Sequence, residues 1–504
     1  MNIKIINTNR DAFNTALAAA RTCYSGKNIL PDDCVDFKSG KDLLLNIFKA
    51  GHHTVFQHTT FTLHISNVSR HIVWRLLHSH QHYNSEQISQ RYVDGNKMSF
   101  VKIPCDSDNM ERHDNISYNK KIMEYYNKIN TELTSVFKSI LPTHLKDNAS
   151  KKAQEIARYV LPQSMSVTMY HTVDLLTIFR YIAFSKYTPE CTNEAIRFSQ
   201  LLRDAVLAEC PDFEDIIKYC ETLQAEFPND TEARNNSYLK TFESTVFRRI
   251  NRNYFETKNK INYGPCIIYN MTQPLYYSVN KNYSNILSPF KIFSDPGITG
   301  SFSTYMYISL SCDAQNQRHR MSPGYRPLID YDFLNDNHVL ENQIYYVPSI
   351  LLLEENKHIL YIYKECMQYM YEYVKHRKDL GDTRLAYYLP NAHRVRVITR
   401  DDFSNFIHKT QKRLCNTAQE EIANCVTEQL AQLADMDVDM MEEFKDYFIS
   451  KLMRPCEYRK LNNIMPYCPE GSRYCGRKPW STIAEKGDTD YMGDDIRNRY
   501  HRVY

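Results

Sequence analysis

The strongest constraint on this 504-residue chain is a pattern of strands and helices that is written twice. In the first half, "FTLHISNV" (61–68) alternates apolar and polar residues, as a half-buried strand requires. Ahead of it, "DLLLNIFKAG" (42–51) spaces its apolar residues as a short amphipathic helix closed by Gly51, and behind it "SRHIVWRLLHSH" (69–80) returns to helical spacing. Further helical segments run from Asn109 to "CTNEAIRFSQLLRDAVLAEC" (191–210), broken at Pro142, Pro162 and Pro189. The second half repeats the theme. "FSTYMYISL" (302–310) reads as a strand, "ILYIYKECMQYMYEYVKHRKDLG" (359–381) as a helix capped near Gly381, and "QKRLCNTAQEEIANCVTEQLAQL" (411–433) as one long amphipathic helix. A recurrence at roughly two hundred residues describes a duplicated domain, not a solenoid. The expected organisation is a first domain over 1–226, a polar linker over 227–239 centred on "FPNDTEARNNS", a second domain over 240–444, and a tail over 445–504 that wraps the surface.

Charge and cysteine usage narrow the partners. Lys and Arg number 62 against 59 Asp and Glu, a net +3, so no bulk field draws this chain to nucleic acid or to an acidic membrane, and any anion site must be local. The 14 cysteines are scattered, with no signal peptide ahead of them, which favours reduced thiols in a cytoplasm. No apolar run approaches the ~20 residues needed to cross a bilayer.

Local anion chemistry concentrates at a few places. Ser89-Gln90-Arg91-Tyr92 sets a hydroxyl beside a guanidinium, and "ARYVLP" presents Arg158 before a Leu-Pro turn. In the second half "AQNQRHR" carries Gln315, Arg318, His319 and Arg320, and "RLCNTAQEEI" opens on Arg413. Arginine forks and serine hydroxyls give a phosphate dianion directional, charge-assisted bonds. Taken singly, each arginine reads equally well as half of a surface ion pair. His52, His53, His58, His78, His80 and His82 crowd the first half, yet no spacing among them gives a helical His pair beside an acid. Neutral imidazoles packed on a ring or at a helix end fit them better than a metal site. Cys456, Cys468 and Cys475 lack CxxC spacing, and no metal is expected. The stripe "YIYKECMQYMYEY" reads as core plus interface.

Taken in order, "GHHTVFQHTTFTLHISNVSR", "SQRYV" and "ARYVLP", then "AQNQRHR", "YYLPNAHRVRVI" and "RLCNTAQEEI", resemble the flavin-dependent thymidylate synthases over most of residues 15–435. The resemblance implies an α/β fold of the α+β kind: two tandem copies, each with helices packed on a central sheet. It implies reductive methylation of dUMP to dTMP, with NADPH reducing FAD and methylenetetrahydrofolate delivering the carbon to C5 without an enzyme nucleophile. It further implies a homodimer acting on dUMP and folate, and no role for nucleic acid or membrane.

Residue by residue, the resemblance gives Ser89, Gln90, Arg91 and Arg158 to the dUMP phosphate end. Gln315, Arg318 and Arg413 go to substrate and catalysis, where positive charge meets electron density pushed onto the ring. His52, Thr54, Gln57, Gln87, Arg318, His319, Arg320, Asp402, His408 and Thr417 go to FAD, with Gln57 replacing the family's glutamate. Each copy departs from the pattern. His78-Ser79-His80 stands in place of Arg-His-Arg, Ala183 where the late-helix arginine is expected, and Ala386 where the first copy has Arg158. The losses are complementary, so the two copies imply one complete site and one decayed one. A related enzyme making another C5-modified pyrimidine nucleotide, and a non-catalytic nucleotide-binding relic, are the alternatives. Drift that spares opposite halves of a site argues against the relic.

Overall fold

The computed structural model describes residues 1–34, 37–80, 82–103, 109–141, 143–188, 190–223, 266–269, 300–326, 328–329, 331, 334, 344–435, 452–468 and 470. The expected linker, Pro142, Pro189, Cys475 and most of the tail lie outside them. Two compact units emerge that are not simple halves of the sequence. The first comprises Met1–Glu124, Leu161–Tyr238 and Tyr369–Pro390; the second comprises Tyr125–Val160, Leu239–Gln368 and Asn391–Tyr504.

Each unit is built on one four-stranded antiparallel sheet. In the first unit, β1 (Asn2–Thr8), β2 (Thr60–Ser69), β3 (Tyr83–Gln87) and β4 (Ser166–Asp174) lie in the order β1-β2-β4-β3. In the second, β5 (Cys266–Tyr269), β6 (Ser301–Ser309), β7 (Gly324–Tyr325) and β8 (Arg394–Asp402) repeat that order as β5-β6-β8-β7. With helices on antiparallel sheets, both units are α+β.

The sequence encodes this repetition at the strand ends. β2 and β6 both finish on a serine whose hydroxyl caps the next helical turn: Ser69 Oγ accepts from Ile72 N at 3.0 Å and Ser309 Oγ from Cys312 N at 2.9 Å. β4 and β8 both finish on an aspartate. Asp174 caps helix Leu175–Phe184 through Thr177 N at 2.7 Å, and Asp402 caps helix Phe403–Arg413 through Asn405 N at 2.8 Å. Inward residues of β2 (Phe61, Leu63, Ile65) are fully buried, as period-two alternation demands. In the second unit Phe302, Phe403, Phe406, Val426 and Leu430 form one apolar cluster.

One expectation is corrected. The long helix over 411–433 is two helices, Phe403–Arg413 and Glu420–Asp435, separated by a corner. Leu414 is buried in the core cluster at that corner, Ala418 N bonds Cys415 O at 2.8 Å, and Asn416 and Thr417, poor helix formers, lie in the turn between. The described part of the tail is pinned to the core at one end and exposed at Leu461 and Met465. Leu452 and Met453 are buried, Leu452 within the same cluster, and helix Pro455–Leu461 follows them. Among the described residues no helix is long and apolar enough to cross a membrane.

Candidate functional site

The second unit ties its sheet to the helix after the corner with three side chains. Glu421 accepts from Ser309 N at 2.8 Å, from the Ser309 hydroxyl, and from the Tyr159 hydroxyl at 2.8 Å. Burial pushes the Glu421 carboxyl up from its usual range, while these donors pull it back. Its neighbour Glu420, buried against the Tyr346 hydroxyl and Ser349 N, both at 3.0 Å, is pushed by burial to about 7.

On this anchor stands a chain of polar groups. Arg158, 4% exposed, donates through Nη2 to Gln419 Oε1, and Gln315 Nε2 donates to the same oxygen. Gln419, 0% exposed, donates in turn to the Tyr159 hydroxyl. Arg413 closes the group: Nη2 donates to Gln315 O at 2.6 Å and Nε to His319 Nε2 at 2.7 Å. Burial, and then the Arg413 charge, force the His319 pKa far down, so its imidazole is a neutral acceptor.

The orientation of every amide in this chain is determined. A guanidinium carries donors only, so Gln419 must turn its oxygen to Arg158. Gln315 must then turn its NH₂ to that oxygen. Its own Oε1 is left buried with no hydrogen-bond partner among the described residues.

Of the residues assigned to flavin, Arg318 and His408 are exposed and Arg320 is half-buried, and the His408 ring lies 6.3 Å from that of His319. Asp402 is occupied as a helix cap, and Thr417 Oγ1 lies 3.2 Å from Cys415 Sγ. Arg318 and Arg320, on either side of the neutral His319 in sequence, make a donor set that fits an anionic diphosphate.

The remaining assigned residues belong to the first unit. Ser89 Oγ accepts from Arg91 N at 3.2 Å, the Arg91 guanidinium lies 5.4 Å from the Tyr92 ring, and Gln90 is buried. Gln87 ends β3 half-buried. His52 and Thr54 are exposed before β2, and Gln57 donates to Asp174 at 3.1 Å.

The first unit repeats the anchor and not the polar chain. Glu194 accepts from Ser69 N at 2.8 Å, from the Ser69 hydroxyl at 2.6 Å and from the Tyr387 hydroxyl at 2.6 Å. Counting from those shared residues, Ala386 replaces Arg158, Thr192 replaces Gln419 and Arg75 replaces Gln315. Arg75 is closed by Glu190, whose carboxylate meets it at 2.7 and 3.0 Å and also takes His71 Nε2 at 3.0 Å. Glu190 holds this place at φ 66°, a left-handed conformation uncommon for glutamate. His78 is turned inward, bonded to Ser85 Oγ at 3.1 Å and stacked on Tyr83, while burial and the nearby Arg180 lower His80 to about 4. Eleven residues past its capping aspartate, where the second unit has Arg413, stands Ser185 and not Ala183; neither is basic.

The stretches "RLCNTAQEEI" and "ARYVLP" contain Gln419, Glu421 and Tyr159 without marking them as functional. The sign available was the recurrence of Tyr and Glu beside both Leu-Pro turns and in both Glu-containing helices. Arg75 and Glu190 left none.

Comparison with known proteins agrees with this architecture. The family model described as thymidylate synthase complementing protein matches residues 4–212 and 298–437. The chain belongs to that family, through two successive segments. It is similar to the flavin-dependent thymidylate synthase of Clostridium tetani, 28% identical over 36% of this chain and 72% of that protein. It is also similar to the one from Nitratidesulfovibrio vulgaris, 24% identical over 38% of this chain and 75% of that protein. A crystal structure of the Helicobacter pylori enzyme with FAD and dUMP aligns at 15% identity and TM-score 0.30, covering 44% of this chain and 99% of that one.

Proposed function

We propose that this chain is a flavin-dependent thymidylate synthase that methylates dUMP to dTMP, using methylenetetrahydrofolate and NADPH, and that only one of its two copies of the site works. The observation that carries the reading is the buried chain Arg158–Gln419–Gln315 beside Arg413, with its single open acceptor, Gln315 Oε1. Uracil offers two carbonyls flanking one imide N–H, which suits a buried acceptor set beside a guanidinium.

In this reading Gln315 accepts the uracil N3–H. Arg413 then lies where negative charge develops on the ring as C5 acts as nucleophile, and a fixed cation in a water-poor place stabilises that charge without reorganising. Arg158 of the second unit, and Ser89, Gln90 and Arg91 of the first, are each assigned to the phosphate on the family resemblance alone. Arg318, His319 and Arg320 would hold FAD, with Asp402, His408, Thr417, His52, Thr54, Gln57 and Gln87 as further contacts. When bound, the flavin supplies the reducing equivalents. The neutral His319 is kept in place by Arg413 and does not compete with Arg318 and Arg320 for an anion. The working assembly is proposed to be a homodimer of this two-copy chain.

The test is an absorbance spectrum of the purified protein, followed by product analysis with dUMP, NADPH and methylenetetrahydrofolate. A flavin spectrum bleached by NADPH, with dTMP as product, is the expected result. A colourless protein that cannot be loaded with flavin, or a C5 substituent other than methyl, would sink it.

A further inference from the structure

Gln419 is assigned to neither the base nor the phosphate, yet it bonds both Gln315 and Arg158, which are. We propose that Gln419 is a positioning residue that sets base specificity: it holds the Gln315 amide with its oxygen open, so that the site takes a base bearing a ring N–H donor and rejects one bearing a ring acceptor. This rests on the reading of the site as one for a uracil nucleotide.

Three observations carry it. The first is polarity. Arg158 supplies a donor at one end, and Glu421 supplies an acceptor, through Tyr159, at the other. Between them Gln419 has one permissible orientation, oxygen to Arg158 and nitrogen to Tyr159. Gln315 is forced to present NH₂ to the shared oxygen. Without that hold a glutamine amide can rotate by half a turn about its last bond and offer a donor where it offered an acceptor, so the discrimination lies in the partner and not in Gln315 alone.

The second observation is burial. Gln419 is 0% exposed and Arg158 4%, so water cannot stand in for a lost partner cheaply.

The third is the internal control that the first unit provides. The anchor of Ser, Glu and Tyr is present in both units, at Ser69, Glu194 and Tyr387 and at Ser309, Glu421 and Tyr159, so it is required by the fold. The Gln419 chain is present in the second unit alone. At the corresponding positions of the first unit the arginine, the bridging glutamine and the reading glutamine have all been replaced together, and Thr192 bonds Thr188 O at 2.8 Å instead. A residue needed only for packing would have been expected in both units.

The chemistry predicts a specific competitor. Uracil carries N3–H, a donor; cytosine carries N3 as an acceptor, and its exocyclic amine presents hydrogens where O4 was. With Gln315 Oε1 fixed, dCMP sets acceptor against acceptor in a buried place.

The experiment measures dissociation constants for dUMP and for dCMP on the flavin-loaded full chain, wild type against Gln419→Met and Gln419→Glu, without turnover. Wild type is expected to prefer dUMP by at least about a hundredfold. In Gln419→Met, which keeps the length and removes the polarity, that ratio is expected to fall by about tenfold or more. In Gln419→Glu the carboxylate still accepts from Arg158 and Gln315, and the ratio is expected to survive even as both affinities change. A Met variant that loses affinity for both nucleotides equally would show a merely structural role and overturn the proposal. Should that variant not fold, a collapsed ratio in Gln419→Glu overturns it by itself and a preserved ratio supports it. A wild-type protein that binds neither nucleotide overturns the uracil-site reading itself; one that binds dUMP with an unchanged ratio in Gln419→Met overturns only the role of Gln419.

Discussion

The two units share a sheet order, the same caps at the ends of corresponding strands and the same Ser-Glu-Tyr anchor, and they differ where the anchor meets the chemistry. In the second unit the anchor supports Gln419, Gln315 and Arg158; in the first the comparable ground is filled by a guanidinium and a carboxylate of the chain's own, Arg75 and Glu190. The contrast separates two kinds of constraint within one molecule. What both units keep is what the fold needs. What only one keeps is the polar chain that the proposed base recognition uses, and at the corresponding positions the other carries an internal ion pair.

The comparison can be broken most visibly at Arg413. Arg413→Ala should lower kcat by about a hundredfold or more, the scale on which a fixed group opposite developing charge acts, whereas Ser185→Ala at the matching position of the first unit should leave turnover unchanged. Steady-state kinetics of the two variants decide it, and equal losses would erase the asymmetry. Next in size is the ion pair. Glu190→Ala leaves the Arg75 guanidinium buried with its main partner removed, and should cost about 3 kcal/mol of stability in denaturant titration with kcat unaltered. A fall in kcat with stability preserved would place Glu190 in the chemistry and not in the scaffold.

A smaller effect is pH-dependent. Glu420, raised from 4.5 to about 7 by burial, binds its proton more tightly folded than unfolded. Its contribution to stability is therefore greatest below 4.5, declines as the pH rises towards 7 and is lost above that, at up to ~1.4 kcal/mol per pH unit. The matching residue of the first unit is Asn193, which does not titrate. Glu420→Gln should flatten the fall in Tm between these pH values, and an unflattened curve would assign the slope elsewhere. The smallest expected effect sharpens the similarity: Tyr159→Phe and Tyr387→Phe each remove one hydroxyl from a buried carboxylate, and each should cost about 1.5–3 kcal/mol or somewhat less. Only the first should also disturb nucleotide affinity, because only Tyr159 supports Gln419.

Much of this was legible in the sequence because it is written locally. Strand alternation at 61–68 and 302–310, and the glycines that end two helices, Gly51 at φ 84° and Gly381 at φ 76°, depend on neighbours a few residues away. The corner between Arg413 and Glu420 was not legible, because Leu414, Ala418 and Ile422 continue a helical spacing of apolar residues through it. Burial of Leu414 in a tertiary cluster, together with the turn at Asn416 and Thr417, outweighs that local signal. The motifs announced Arg158, Gln315 and Arg413 singly. Their assembly was hidden, since Gln419 meets Tyr159 across 260 residues of chain and nothing in either segment names the other.

The most direct test of the central claim, that each chain has one working site and carries an internal ion pair at the corresponding place in the first unit, is the stoichiometry of dUMP binding to the flavin-loaded chain by titration calorimetry. One dUMP bound per chain, abolished together with Arg413→Ala plus Gln315→Ala and untouched by Arg75→Ala, is the predicted result. Two dUMP bound per chain, or binding that survives loss of Arg413 and Gln315 and disappears with Arg75, would contradict it.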